Sequence, residues 1–168
     1  FFLEINMLQG NITKPWIRFI RVGGWKRIQQ KVTKRSYSFQ SNLEPGMISP
    51  TLHVPEYIQR PDPIQELPLR VKTEKEIEIM RSTCQLAAKI LDFACNAAQE
   101  GISTDEIDRA THNEIIKHGA YPSPLHYRGF PKSICTSINE CVAHGIPDDR
   151  KLQFGDVINI DITIFKDG

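Results

Sequence analysis

The chain has neither Asp nor Glu between Met7 and Leu43. That absence makes its overall net charge of +1 misleading. The acid-free head carries Lys14, Arg18, Arg21, Lys26, Arg27, Lys31, Lys34 and Arg35, and the rest of the chain is net acidic. Basic character therefore belongs to one segment and not to the whole surface. No apolar run is long enough to cross a bilayer as a helix, so no membrane span is expected. The four cysteines, Cys84, Cys95, Cys135 and Cys141, show no C-x-x-C spacing. They fit neither a zinc knuckle nor a secreted disulfide framework and read as free thiols.

An acid-free, Arg-rich head bearing serines has the composition of an organellar transit peptide. Arg35-Ser36-Tyr37-Ser38 resembles a mitochondrial processing site, with cleavage between residues 37 and 38. Residues 1–43 are thus expected to be a disordered targeting segment, and the mature protein mitochondrial, with the cytoplasm as alternative. A basic arm on RNA or phosphate is the rival reading. Targeting explains the lack of acid and the cleavage-like site together, so a nucleic-acid partner is not expected.

Residues 44–72 are rich in proline, with Pro45, Pro50, Pro55, Pro61, Pro63 and Pro68. Such density disfavours helix interiors and predicts an extended surface linker. Folded structure is expected from residue 73 to residue 168. Thr73 and Glu76 form a capping-box pair at the start of a long helix, with Ile77, Met80, Cys84, Ala87, Leu91 and Ala94 along one stripe. Ser103 and Glu106 form a second such pair, and the helix they open runs to about His118, before Gly119. Its inner side takes Ile107, Ala110 and Ile115, while His112 and His118 are expected on a solvated face.

Residues 121–131 then form an aromatic loop rich in Pro and Gly, and residues 133–142 read as a strand. A loop through His144 and a Pro-Asp-Asp turn leads into a last strand, Val157 to Phe165. Helix, helix, strand, loop, strand is an α+β order in which sequential strands pair antiparallel. In the last strand Ile158, Ile160, Ile162 and Ile164 share one face, and Asp161 lies on the other with Asn159 and Thr163. An Asp inside a strand marks a solvent-exposed face or a ligand for a hard cation. Lys166-Asp167-Gly168 has the form of a hairpin turn. The four-isoleucine strand would then lack its next partner, an exposed edge and an aggregation hazard.

The run from Tyr121 to Glu140 closely resembles type 1 methionine aminopeptidases. The likeness continues through His144-Gly145-Ile146-Pro147-Asp148-Asp149 and Asn159-Ile160-Asp161-Ile162-Thr163, and covers about residues 73–168. Pro45-Gly46-Met47-Ile48-Ser49-Pro50 and Val54-Pro55 are similar to linker words of eukaryotic members. With the transit-like head, the best match is the mitochondrial type 1 form. At Pro124 bacterial members often carry Cys, and eukaryotic ones resemble this chain.

The resemblance implies the N-terminal half of the pseudo-symmetric "pita-bread" fold, incomplete in this sequence. It implies an enzyme that removes the initiator methionine from nascent proteins, monomeric when full length. Its partners would be peptides and nascent proteins with an N-terminal Met, and its cofactors two divalent metal ions, of Co, Mn, Fe or Zn. Residue by residue, Asp161 matches a metal ligand. His144 matches the histidine that contacts substrate at the scissile amide and stabilises the tetrahedral intermediate. Tyr127, Phe130 and Cys135 match the pocket for the Met side chain, a group whose burial contributes ~1.5 to 3 kcal/mol. Two cations would lower the pKa of a bridging water, the route general to two-metal aminopeptidases. The family's remaining ligands match nothing here, which leads to the expectation that residues 1–168 are inactive alone. The rival on the same fold is a non-catalytic binding protein, which would have no need of Asp161, His144 and the pocket residues.

Overall fold

A computed structural model describes residues 20–21, 44–59 and 71–168. The other residues of the basic head, the cleavage site at 37/38 and residues 60–70 of the proline-rich stretch lie outside the described residues.

Both helix starts follow from local chemistry. Helix α2, Glu74–Ala97, begins at Thr73, whose hydroxyl accepts from the Glu76 N–H while Glu76 accepts from the Thr73 N–H at 2.8 Å. Helix α3, Thr104–Lys117, repeats the arrangement with Ser103 and Glu106. Each reciprocal pair satisfies N–H groups that a helix start otherwise leaves open. The stripe expected on α2 holds only in its second half. Ile90 and Ala94 are buried, with Ala87 and Leu91 packed beside them, but Ile77, Met80 and Cys84 are exposed. Only the second half of α2 meets the core; its first turns have no apolar surface beneath them among the described residues.

The sheet order is β1-β4-β3, all antiparallel, from β1 (Ile20–Arg21), β3 (Cys135–Ile138) and β4 (Val157–Asp161). A second, two-stranded sheet pairs β2 (Tyr121–Pro122) with β5 (Ile164–Phe165). The single strand expected over 157–165 is thus two. After Asp161 the chain runs out of ladder on β3, whose first residue, Cys135, is Asp161's partner. It crosses to β2, with the Ser123 N–H donating to the Thr163 carbonyl at 2.9 Å. The isoleucine face survives the break: Ile158, Ile160, Ile162 and Ile164 are all buried against Ile90, Ile107, Ile115 and Leu152. At Val157 and Ile158, β4 also has a neighbour on its other edge, the two residues of β1, so that part of the strand is not the open edge expected from the sequence.

The described part of the proline-rich stretch is packed on the domain. A four-residue helix, α1 (Glu56–Gln59), starts just after the buried Pro55, where helix is tolerated. Further back, the Glu44 carbonyl accepts from Lys132 Nζ at 3.1 Å and the Met47 carbonyl lies 2.9 Å from His112 Nε2. His112 is therefore buried, contrary to the solvated face expected for it. Its second nitrogen meets Ser133 Oγ at 2.7 Å, so both ring nitrogens have partners, which is what makes a buried imidazole tolerable. His118 is exposed as expected, beside Glu114.

Candidate functional site

Strand β3 is held in place from behind by α3. Asp108 Oδ1 accepts from the Ser133 and Ile134 N–H groups at 2.8 and 3.0 Å. Burial holds the Asp108 pKa above the usual carboxylate range, and those two N–H groups only partly offset that rise. Lys132, fully buried, is neutralised by Asp105 at 2.7 Å, and Asp105 also meets Arg109 at 2.9 Å. These contacts fix residues 132–134, and hence where Cys135 emerges.

The far end of β3 positions His144. The chain turns at Asn139, whose side-chain amide donates to Asp156 Oδ1 and whose oxygen accepts from the Val157 N–H. It then folds back so that the Thr136 N–H donates to the Gly145 carbonyl at 2.8 Å and the Gly145 N–H donates to Ser137 Oγ at 3.1 Å. A Cβ on residue 145 would overlap the Thr136 carbonyl oxygen, so only glycine allows this approach. His144, next to it, has a φ of 53°, in the left-handed region.

A cavity of about 610 Å³ opens between these elements. Its lining includes four of the five residues singled out from the sequence: Tyr127, Phe130, Cys135 and His144. Tyr127 opens a kinked turn over Tyr127–Gly129 that is not regular helix, since His126 before it and Arg128 within it both have positive φ. Burial, and secondarily the charge of Asp161, push the Cys135 thiol up to about 12, so this cysteine stays protonated and apolar. The lining also contains Tyr57, Ser123, Ile146 and Phe165, which the sequence did not single out. For Tyr57 the available signal was an aromatic residue between two prolines of a supposed linker.

Asp161, the fifth residue, is buried and stands directly opposite Cys135 in the β3–β4 ladder. A buried carboxylate is a fitting donor for a hard divalent cation. Two residues on, Thr163 Oγ1 is buried on the cavity wall without a hydrogen-bond partner among the described residues. No group of three or more His, Cys, Asp or Glu that could hold a metal ion gathers among the described residues. Asp161 thus suits the role of one ligand, and the described residues do not complete a site around it.

Comparison with known proteins bears on family and fold. Residues 78–168 match Metallopeptidase family M24. A methionine aminopeptidase 1D, chloroplastic/mitochondrial, of Arabidopsis thaliana is 49% identical over 136 residues, covering 77% of this chain and 39% of that protein. The mitochondrial methionine aminopeptidase 1D of Danio rerio is 49% identical over 135 residues, covering 76% and 40%. The chain thus spans about two fifths of the length of these relatives. Among solved structures, methionine aminopeptidase from Rickettsia prowazekii superposes with a TM-score of 0.57 at 47% identity, over 58% of this chain and 40% of that one. The enzyme from Thermotoga maritima gives a TM-score of 0.55 at 26% identity, with the same coverage. The α+β arrangement of residues 71–168 is accordingly part of the pita-bread fold, and the chain belongs to metallopeptidase family M24.

Proposed function

We propose that this chain supplies one side of the site by which its full-length polypeptide removes N-terminal methionine from newly made proteins. The observation that carries this reading is the cavity joining Tyr127, Phe130, Cys135 and His144. Its chemistry suits a methionyl side chain: two aromatic rings and a protonated thiol offer apolar, polarisable contact to a thioether. His144 lies in the same lining and can donate to, or accept from, a substrate amide.

In this reading Asp161 would be one ligand of a divalent metal pair, which would supply Lewis-acid activation of water for the hydrolysis. Residues 73–168 are the N-terminal part of the catalytic domain, and residues 1–43 direct the protein to mitochondria. The described residues hold too few ligands for catalysis, so residues 1–168 alone are expected to be inactive. The test is a peptide assay on the purified full-length polypeptide with added manganese or cobalt. Cleavage of a free Met-Ala-Ser peptide, abolished by chelator and by N-acetylation, supports the proposal. No release of methionine under any metal overturns it, and release by residues 1–168 alone overturns the one-sided site.

A further inference from the structure

Among the described residues, every one that lines the cavity comes from positions 123–165 except Tyr57. Tyr57 sits on α1, in the stretch that the sequence presents as a linker. Its ring meets Tyr127 edge-on at 6.0 Å and Phe165 edge-on at 6.4 Å, and its phenol hydrogen-bonds the Ser123 side chain. Four residues earlier in the chain, His53 stacks on Phe165 with centroids 5.5 Å apart. This end of the stretch is thus seated on both sides of the cavity wall, on the loop after β2 and on β5.

The other end is pinned independently. Lys132 and His112 hold the carbonyls of Glu44 and Met47. Gly46 passes so close that a Cβ there would lie 2.6 Å from the His112 ring. Residues 44–59 therefore form a strap fixed at both ends, and its path delivers one aromatic ring to the cavity. A strap that served only to tether would need no ring facing an apolar cavity already walled by Tyr127 and Phe130.

We propose that Tyr57 is a specificity-determining residue: it closes one wall of the cavity, and through it the strap sets how large an N-terminal side chain the enzyme accepts. This rests on the cavity being the methionyl side-chain site. Contact with an apolar wall is made equally in the ground and transition states, so its loss falls on KM and leaves kcat nearly alone. The enlarged cavity should also discriminate less against bulky residues.

The test uses the full-length polypeptide with Tyr57→Ala, Tyr57→Leu and Tyr57→Phe, and peptides beginning with Met or Phe. Tyr57→Ala should raise KM for the Met peptide roughly tenfold with kcat within about twofold, and narrow the Met-over-Phe preference in kcat/KM by a similar factor. Tyr57→Leu should shift the same preference by less, and Tyr57→Phe should keep it. If Tyr57→Ala does not fold, Tyr57→Leu decides. An unchanged Met-over-Phe ratio in either variant overturns the proposal, as does an equal fall in kcat for both peptides. Should the wild type cleave no Met peptide, the function proposed above fails. Calorimetric binding of L-methionine and L-phenylalanine to the same proteins then carries the test: a ratio unaffected by Tyr57, or no binding, overturns it.

Discussion

Cys135 and Asp161 face each other across one rung of the β3–β4 ladder. Directly opposed residues project to the same face, with Cβ atoms about 4.5–5.5 Å apart. The floor of the apolar cavity and the carboxylate suited to a metal are therefore set in register by backbone pairing, not by flexible side chains. The rung itself is held from behind, because Asp108 fixes the two N–H groups just before Cys135.

Asp161→Asn keeps the shape of the rung and removes the charge. In the full-length polypeptide it should weaken divalent-metal binding by more than the 10–100-fold typical of losing an outer-shell partner. Peptidase activity should fall at least as far. Titration calorimetry with manganese reads the first and a Met-peptide assay the second. Wild-type metal affinity in this variant would remove Asp161 from the ligand set.

The raised pKa of Cys135 makes a prediction about thiol chemistry. Thiolate is the reactive form, and it becomes abundant only as pH approaches the pKa. With its thiol pushed up to about 12, Cys135 is almost wholly protonated at about pH 8. Iodoacetamide should therefore label exposed Cys84 first and Cys135 last, and Cys135 should stay slow even at about pH 9. Peptide mass mapping over time measures this. Early labelling of Cys135 would mean that it is neither buried nor protonated.

These elements differ in how far the sequence announced them. Thr73 with Glu76 and Ser103 with Glu106 are local signals, three residues apart, and both close as capping boxes. The isoleucine face is equally local, and it stays buried even where the strand breaks after Asp161. His112 was not legible, because its partners, Ser133 and Met47, lie 21 and 65 residues away. A histidine on a helix flanked by Asn113 and Glu114 looks solvated until the strap is placed over it. The strap was hidden for the same reason: prolines announce extended chain but say nothing about what it lies on. At the site, Tyr127, Phe130, Cys135 and His144 came from likeness to a family, and one cavity gathers them. Tyr57 belongs to no such pattern and became visible only through its contacts.

The Lys132–Asp105 pair should be a large contributor to the integrity of that packing. Breaking a buried pair by removing one partner costs about 3–5 kcal/mol, since the other charge is left in an apolar setting. Lys132→Met keeps the length of the side chain but strands Asp105 Oδ1 and the Glu44 carbonyl. Arg109 remains on the other carboxylate oxygen, so the lower end of that range is expected. Adding Asp105→Leu should recover much of the loss, because no buried charge is then unpaired. Urea unfolding of the single and double variants measures both. A single-variant loss below about 1 kcal/mol would mean that solvent reaches the pair.

Gly145→Ala tests whether the placement of His144, as distinct from its presence, matters. The Thr136 carbonyl oxygen occupies the space a Cβ needs, and it belongs to backbone that is already tied to Ile160's strand. It cannot yield as a side-chain tip would, so the loop must move instead. The hydrogen bonds from Thr136 N–H to the Gly145 carbonyl and from Gly145 N–H to Ser137 Oγ then lengthen, and His144 shifts with its neighbour. A displacement near 1 Å in a positioned group commonly costs about 100-fold in rate. Overpacking at such a site costs only about 1–3 kcal/mol of stability. The full-length variant should therefore stay folded by circular dichroism while kcat/KM on a Met peptide falls about 100-fold. Wild-type kinetics in a folded Gly145→Ala protein would show that His144 does not act from the position this loop gives it.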